Sequence, residues 1–440
     1  MGCRATLGEL CTFHRGASVP RARMFNSGNY LYIHYGDLYR GFEQRIDVED
    51  PAKPLPFILD SEKIKETQFL HDQDIVFVLT SETVDDLGHA FLFNNPRNRI
   101  AVSGTETTIV RIQRKDMVLP AYLNYVMQSP RFIAELRQYV RGMKVFRVHP
   151  NDAARIPIDL PSLDKQAKVV AILDAIFEKR LINNRLNGYL EELGQSLLSE
   201  CLRSCGDMLP LSSVMSLGSG FAFKSSTYTN DGKFKILTIK NVQDGSVDCS
   251  NSNRIDDPPK KMRGFCNLQL GSVVLSLTGN VGRVGIVSEE DCLLNQRVAV
   301  IQPHQSSLLP GLYFYFRQKS FQNEMIGIAR GTAQANLSPL ETLQLEIPYD
   351  KQAFDEVNSS LLPVFDLILA NKVESTKLAN LRDTLLPKLM SGEIDVSKVD
   401  LKQLNSHLAD CLVQPSPEGI PVFHKWPSAD QPTEDQLDSP

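Results

Sequence analysis

Arg141-Gly142-Met143-Lys144-Val145-Phe146-Arg147 sets three cations around a glycine just after a stretch of helical periodicity. Cations placed this way can grip phosphates or a guanine edge. The corresponding downstream stretch, Arg330-Gly331-Thr332-Ala333-Gln334-Ala335-Asn336, is uncharged after its first residue and offers amides of the kind that pair bidentately with adenine. Both stretches also fit a solvated connection from helix to strand. Tyr32-Ile33-His34-Tyr35-Gly36-Asp37 likewise fits a strand end and turn. On chemistry alone, the candidate contacts to a nucleic acid are His34, Tyr35, Arg141, Lys144, Arg147, Lys224, Lys240, Asn241, Arg283, Asn295, Gln296, Arg330, Thr332, Gln334 and Asn336.

Catalytic patterns fail on inspection. Gly218-Ser219-Gly220-Phe221-Ala222-Phe223-Lys224-Ser225 imitates a phosphate loop, but Phe223 stands where a glycine must let the backbone wrap the phosphate. Asp257-Pro258-Pro259-Lys260 imitates the Asp-Pro-Pro-Tyr of amino-methyltransferases without the aromatic that stacks on a flipped base. No Pro-Asp dipeptide anchors the common nuclease pattern, and the eight histidines form no metal-ligand spacing. These observations argue for a chain without catalysis of its own and without a bound metal.

Placing the candidate residues requires two similar globules, because the chain repeats itself. From Asn183 onward two copies align without a gap at an offset of 188 residues: Asn183, Leu186, Leu190, Leu193, Leu197 and Leu198 fall on Asn371, Glu374, Leu378, Leu381, Leu385 and Leu386. Upstream, Leu119-Pro120, Arg141-Gly142 and Ile156-Pro157 answer Leu309-Pro310, Arg330-Gly331 and Ile347-Pro348. Each copy opens with short β-branched or aromatic runs. In the first they are Tyr30–Ile33, Ile75–Leu79, Ala90–Phe93 and Thr107–Val110; in the second Phe234–Ile239, Val273–Leu277 and Val298–Ile301. Helical segments follow at Pro120–Arg141, broken at Ser129-Pro130, and at Leu312–Ile328.

Each copy then ends in a long helix. The first should run from about Lys165 to Cys201, its seam formed by Val169, Ile172, Ile176, Lys179, Asn183, Leu186, Leu190, Leu193 and Leu197 in steps of three and four. The second carries Val364, Leu367, Asn371, Glu374, Leu378, Leu381 and Leu385, with Pro363 near its start and Gly392 just past its end. About 30 residues at roughly 1.5 Å each would make a rod of about 45 Å. Asn183 and Asn371 share a slot, where a buried polar pair would fix the register of two antiparallel helices. The expected helix-pair interface is Ile176, Asn183, Leu186, Leu190, Leu193, Leu367, Asn371, Leu378 and Leu381.

Composition sets bounds. At 440 residues and 42% hydrophobic, the chain can bury two ordinary cores. No apolar run is long enough for a membrane span, and Met1-Gly2-Cys3-Arg4 does not begin a secretory signal, which points to the cytoplasm. The eight cysteines include no Cys-x-x-Cys, as expected of scattered reduced thiols. Net charge is −5; residues 1–155 carry 20 Lys+Arg against 18 Asp+Glu and residues 206–348 carry 13 against 12, so any phosphate binding must come from a local basic face. Residues 396–440, with 3 Lys+Arg against 7 Asp+Glu and six prolines from Pro415 on, show no periodicity that could bury a face and read as a disordered tail, with a helical turn conceivable at Leu401–Leu412.

Taken in order and twice over, the motifs resemble the specificity subunits of type I restriction-modification enzymes. Leu381 through Ile394 looks like the end of that family's second spacer helix. Ile158 through Gln166, and Ile347-Pro348 with Asp350-Lys351-Gln352, resemble its Pro-x-x-x-x-Gln approach to each helix. Leu270–Val274, Gly279–Gly285, Asn295-Gln296 and Gly331–Ser338 are similar to its target-recognition domain, and the first globule lacks the Asn-Gln. The resemblance spans about residues 5 to 395. It implies an α/β (α+β) fold with two tandem target-recognition domains separated by two long antiparallel coiled-coil helices in a pseudo-twofold repeat. The divisions would be 1–160, a central spacer helix 161–205, 206–348, a C-terminal spacer helix 349–395 and the tail 396–440. It further implies a non-catalytic subunit whose domains each read half of a bipartite double-stranded DNA site. The helix pair would set the spacer and dock two adenine methyltransferase (modification) subunits that use S-adenosylmethionine. Restriction subunits driven by ATP and Mg would complete the nuclease. Two alternatives stand beside it: a standalone sequence-specific DNA-binding protein of similar fold, a repressor or decoy, and a fragment of a fused nuclease-methyltransferase lacking its catalytic half.

Overall fold

The computed structural model describes residues 3–39, 42–50, 53–331 and 335–400. Thr332, Gln334 and the tail from 401, with its helical turn expected at Leu401–Leu412, lie outside the described residues. The described residues fall into two units, one within Met1–Phe177 and Asn380–Val413, the other within Glu178–Ala379.

In the first unit the apolar runs become the middle layer of a sandwich. Five strands pair in the order Cys11–Arg15, Thr107–Ile112, Ile75–Val78, Ala90–Asn94, Arg45–Asp47, and only the last pair is parallel. Ile75–Val78 is buried at every position, as expected of a strand covered on both faces. Successive side chains point to opposite faces. Ile75 and Phe77 therefore join the core that includes the helices Pro120–Gln128 and Pro130–Arg137, while Val76 and Val78 join a second core with Leu31, Ile33 and Phe91. That second core lies against a small sheet of Phe57–Ile58, Tyr30–Ile33 and Ala101–Ser103, the last two parallel.

The second unit has the same topology. Met215–Ser219, Val298–Pro303, Val273–Ser276, Val284–Ile286 and Gly245–Ser246 pair in that order, again with one parallel pair at the end. A small sheet of Arg254–Ile255, Phe234–Leu237, Cys292–Leu294 and Asn267–Leu268 keeps the parallel pairing at its centre. The helical stretch expected as one piece is two helices, Leu309–Arg317 and Lys319–Ile328, parted at Gln318, whose backbone is extended. In each unit a two-stranded ribbon closes the chain: Cys3–Thr6 with Pro157–Leu160, and Met208–Pro210 with Glu346–Pro348.

The long helices exceed the expected length. They run Leu163–Ser204 and Lys351–Ser391, 42 and 41 residues, the first passing the expected Lys165–Cys201 by a few residues at each end, and Pro363 lies inside the second rather than near its start. The early turns are held by tertiary contacts that helical periodicity does not report. Phe354, Leu361 and Val364 pack into the core of the second unit. Gln166 in the first helix is fully buried; its Oε1 accepts from the Leu119 amide at 2.9 Å while its Nε2 donates to the Met117 and Pro161 carbonyls. Gln352, its expected counterpart, is exposed, and Asn358 takes the role by accepting from the Gly311 amide at 2.8 Å. Gly392, at φ +76°, ends the second helix. Past it the chain keeps packing for a few residues: Val396 is buried in the core of the first unit and Val396–Lys398 forms a short turn, so packed structure reaches into the stretch read as tail.

Within the second unit the two helices run in opposite directions. The Asn183 amide donates to Glu374 Oε2 at 2.8 Å and to Ser375 Oγ at 3.3 Å, while Asn371 Nδ2 donates to Asn187 Oδ1 at 2.9 Å. The residue number rises on one helix as it falls on the other. In the first unit the start of one helix likewise meets the end of the other: Lys165 lies 3.6 Å from Asp395 and Lys168 donates to the Ser397 carbonyl. The buried stripe of the first helix is Gln166, Val169, Leu173, Ile176, Asn183, Asn187, Gly194, Leu198 and Cys201, set one residue past the expected seam at several steps. Leu186, Leu193 and Leu381 are about half exposed and do not form the seam. Leu190, Leu367 and Leu378 are half-buried. Asn187 and Gly194 take the inner slots because hydrogen bonding and close packing favour them there: a side chain at Gly194 would sit 2.3 Å from the Phe314 ring.

Candidate nucleic-acid interface

Each unit projects one hairpin built in the same way. In the first, Arg141 and Arg147 exchange backbone hydrogen bonds of 2.9 and 2.8 Å, and Phe146–Arg147 extends the pairing onto Thr80–Ser81. Gly142 turns the chain at φ +113°, where a Cβ would stand 2.0 Å from the Val145 carbonyl oxygen. Only glycine fits this tip. Lys144 is exposed there beside Met143, which is 93% exposed. The outer cations are steered by carboxylates: Arg141 lies 3.3 Å from Asp152 and Arg147 4.0 Å from Glu106.

The second hairpin closes between Arg330 and Asn336 with bonds of 2.9 and 2.8 Å and turns at Gly331, φ +120°. Beside it runs the glycine-rich turn Thr278–Arg283, in which Gly279 and Gly282 both have positive φ and the Gly279 amide donates to the Ala335 carbonyl. Asn336 Oδ1 accepts from Thr278 Oγ1 at 2.9 Å and from Arg297 Nη1 at 3.2 Å. Arg283 donates to Gln243 at 3.4 Å, next to the exposed Lys240. Asn336, Arg297 and Thr278 therefore form one polar cluster with Asn295 and Gln296 next to Arg297 in the chain, Arg283 and Gln243 form a second near Lys240, and the Arg330 side chain pairs with Glu341.

Other nominated residues have structural roles. His34 is buried and caps the turn Tyr35–Leu38, its Nδ1 accepting from the Gly36 amide at 3.0 Å, and Tyr35 is half-buried against its ring. Asn241 is buried with both ends of its amide engaged, accepting from Thr238 and donating to the Asp248 carbonyl. Neither His34 nor Asn241 has an edge to offer a base. Lys224 is exposed ahead of the turn Ser225–Thr227, and no hydrogen bond or ion pair among the described residues joins it to either cluster. Sequence reading missed Arg297 and Gln243. The Asn295-Gln296 pair it singled out sits immediately before Arg297, so the signal was one residue away.

Ion pairs tie each module to its helices. Arg45, at the sheet edge of the first unit, pairs with Asp174 on the first long helix, and the Tyr125 hydroxyl donates to the same carboxylate at 2.6 Å. In the second unit Arg317 bridges Glu191 on the helix and Asp244 beside the edge strand. Burial, reinforced by the Glu191 carboxylate, pushes the Tyr313 hydroxyl well above its ordinary pKa, so it stays a hydrogen-bond donor to that carboxylate. Burial likewise lowers the pKa of Lys372 nearby, an effect the Glu191 charge opposes.

The fold and its two hairpins define a class: duplicated α/β modules, each presenting a polar loop face and tied by ion pairs to antiparallel helices. Residues 207–381 match the type I restriction modification DNA specificity domain. The chain is 30% identical over 125 residues to the HindI type I restriction enzyme specificity subunit of Haemophilus influenzae, covering 28% of this chain and 27% of that one. It is 23% identical over 313 residues to the MjaIX specificity subunit of Methanocaldococcus jannaschii, covering 65% and 71%. The alignment thus takes in about a quarter of the first relative's length and about seven tenths of the second's. Its fold is shared with the crystal structure of the type I restriction-modification S subunit from M. genitalium, at a TM-score of 0.51 and 14% identity over 88% of this chain and 96% of that one. Residues 207–381 thus carry a type I restriction modification DNA specificity domain, and the curated relatives the chain resembles are specificity subunits.

Proposed function

We propose that the chain is the DNA-reading subunit of a type I restriction-modification complex, each unit reading one half of a bipartite duplex site and the antiparallel helices setting the gap. One observation carries this reading: the same strand order and the same glycine-tipped, doubly hydrogen-bonded hairpin occur twice, with different residues at the tip. A duplicated scaffold with divergent loops suits the reading of two unlike half-sites. Loops carry specificity when a rigid framework holds them.

The chain supplies no catalysis in this scheme. Two adenine methyltransferase subunits would bring S-adenosylmethionine, and restriction subunits would bring ATP and Mg; the complex works in the cytoplasm. The modification subunits dock on the long helices, where Leu186, Tyr189 and Leu193 form an exposed apolar stripe at i, i+3 and i+7. Sequence is read from base edges, with Arg and amide side chains as the readers, and Lys144, Arg141 and Arg147 hold the backbone. Co-production with a type I adenine methyltransferase subunit, followed by genome-wide mapping of methylated adenine, should return one two-part motif with a fixed gap. A continuous motif, or no methylation above the strain lacking the chain, would sink the proposal.

A further inference from the structure

Three-residue connectors join the small sheet to the central sheet in both units: Gly104-Thr105-Glu106 between Ala101–Ser103 and Thr107–Ile112, and Asn295-Gln296-Arg297 between Cys292–Leu294 and Val298–Pro303. The backbone hydrogen bonds at their two ends correspond, although Glu106 takes φ +60° where Arg297 does not. The Thr107 amide donates to Gly104 as Val298 donates to Asn295, and Gly16 donates to the Thr107 carbonyl as Gly220 does to Val298. Glu106 and Arg297 are therefore the same position. Each faces the residue that closes its hairpin: Glu106 lies 4.0 Å from Arg147, and Arg297 donates to Asn336 at 3.2 Å.

The position carries opposite charge in the two modules beside the loop tips, where a solvated structural turn needs no charge at all. Arg297 is exposed, and its guanidinium is anchored through Nη1 alone among the described residues. Asn336 is itself held by Thr278. That contact engages Nη1 and leaves the Nε–Nη2 edge, which can pair bidentately with guanine O6 and N7. Glu106 offers the reverse, an acceptor suited to the amino group of cytosine.

Resting on the DNA-reading proposal above, we infer that this connector position reads a base pair in each half-site with opposite polarity: Arg297 selects a guanine in one half, and Glu106 selects a cytosine amino group in the other. Arg147 and Asn336 are positioning residues for it.

The test is methylation mapping with the chain in its complex with the modification subunits, comparing wild type with R297Q and E106Q. R297Q should relax one G·C position of one half-motif and leave the other half and the gap intact, and E106Q should relax one position of the other half only. In competition binding with duplexes carrying the mapped motif, R297Q should lose about tenfold to a hundredfold of the preference for guanine over adenine at that position. An unchanged motif in R297Q, or a uniform drop in methylation at every site with the motif intact, overturns the inference and assigns Arg297 to phosphate contact or hairpin support. Should R297Q fail to assemble, R297K keeps the charge and removes the fork, and unrelaxed discrimination in R297K also overturns it. A wild-type complex that returns no two-part motif would instead defeat the DNA-reading proposal itself.

Discussion

Gly194 shows how much can depend on a missing side chain. It lies mid-helix, where glycine costs roughly 1 kcal/mol relative to alanine, yet a Cβ there would press to 2.3 Å of the Phe314 ring. Phe314 is fully buried and its carbonyl accepts from Gln195 at 2.8 Å, so the ring has no room to retreat. Gly194→Ala should therefore destabilise the protein by about 1–3 kcal/mol by overpacking despite the better helix propensity, which a lowered thermal midpoint would report; a raised midpoint would show the ring to be mobile. Gly142 was legible as a turn residue from its setting among cations. Gly194 was not, because nothing in a one-dimensional pattern says that an aromatic from a helix 120 residues downstream arrives at that point. His34 and Asn241 failed as DNA contacts for the same reason: capping and clamping are decided by backbone groups that the sequence does not display.

At the level of elements, the helix pair was legible in direction and in its asparagine layer, because a three-and-four repeat carrying one polar slot in each copy admits few pairings. The rotation of the first helix was misjudged by one position, since Leu186 and Leu193 outscore Asn187 and Gly194 as core residues when hydrophobicity alone is weighed. The layer is tightly wired: Asn183 to Glu374 and Ser375, Asn371 to Asn187, and Lys179 to Glu374 at 3.2 Å. Deleting one partner strands the other. Asn187→Ala should cost about 1–3 kcal/mol because it leaves the Asn371 amide unsatisfied in a half-buried seam. Adding Asn371→Ala should cost less than the sum of the two single changes. Chemical denaturation of the four-member cycle measures the coupling, and additive effects would mean that water already satisfies the pair.

For the whole molecule, the strongest constraint is what the helices leave uncovered. The paired order of strands was legible only in outline, since edge strands of two or three residues, such as Arg45–Asp47 and Gly245–Ser246, carry too few residues for any periodicity. The repeat itself was plain because the stretch from Asn183 recurs at an offset of 188 without a gap and the upstream motifs recur in the same order. With a net charge of −5 and two nearly neutral modules, the chain has little phosphate neutralisation to offer alone, so firm DNA binding calls for added subunits. Leu186, Tyr189 and Leu193, exposed by 42, 69 and 47%, give such subunits an apolar stripe on one face of the helix. Under the proposed function this stripe is the candidate docking face. Leu190, half-buried against the core of the second unit, does not belong to it. Charging Leu190 would damage the helix pair directly and confound any assembly assay. Leu186→Asp with Leu193→Asp should instead leave the thermal midpoint within a few degrees of wild type while abolishing co-purification with the modification subunits. Retained assembly in that double variant would move the docking face off this stripe, and a collapsed midpoint would show that the stripe packs within the chain.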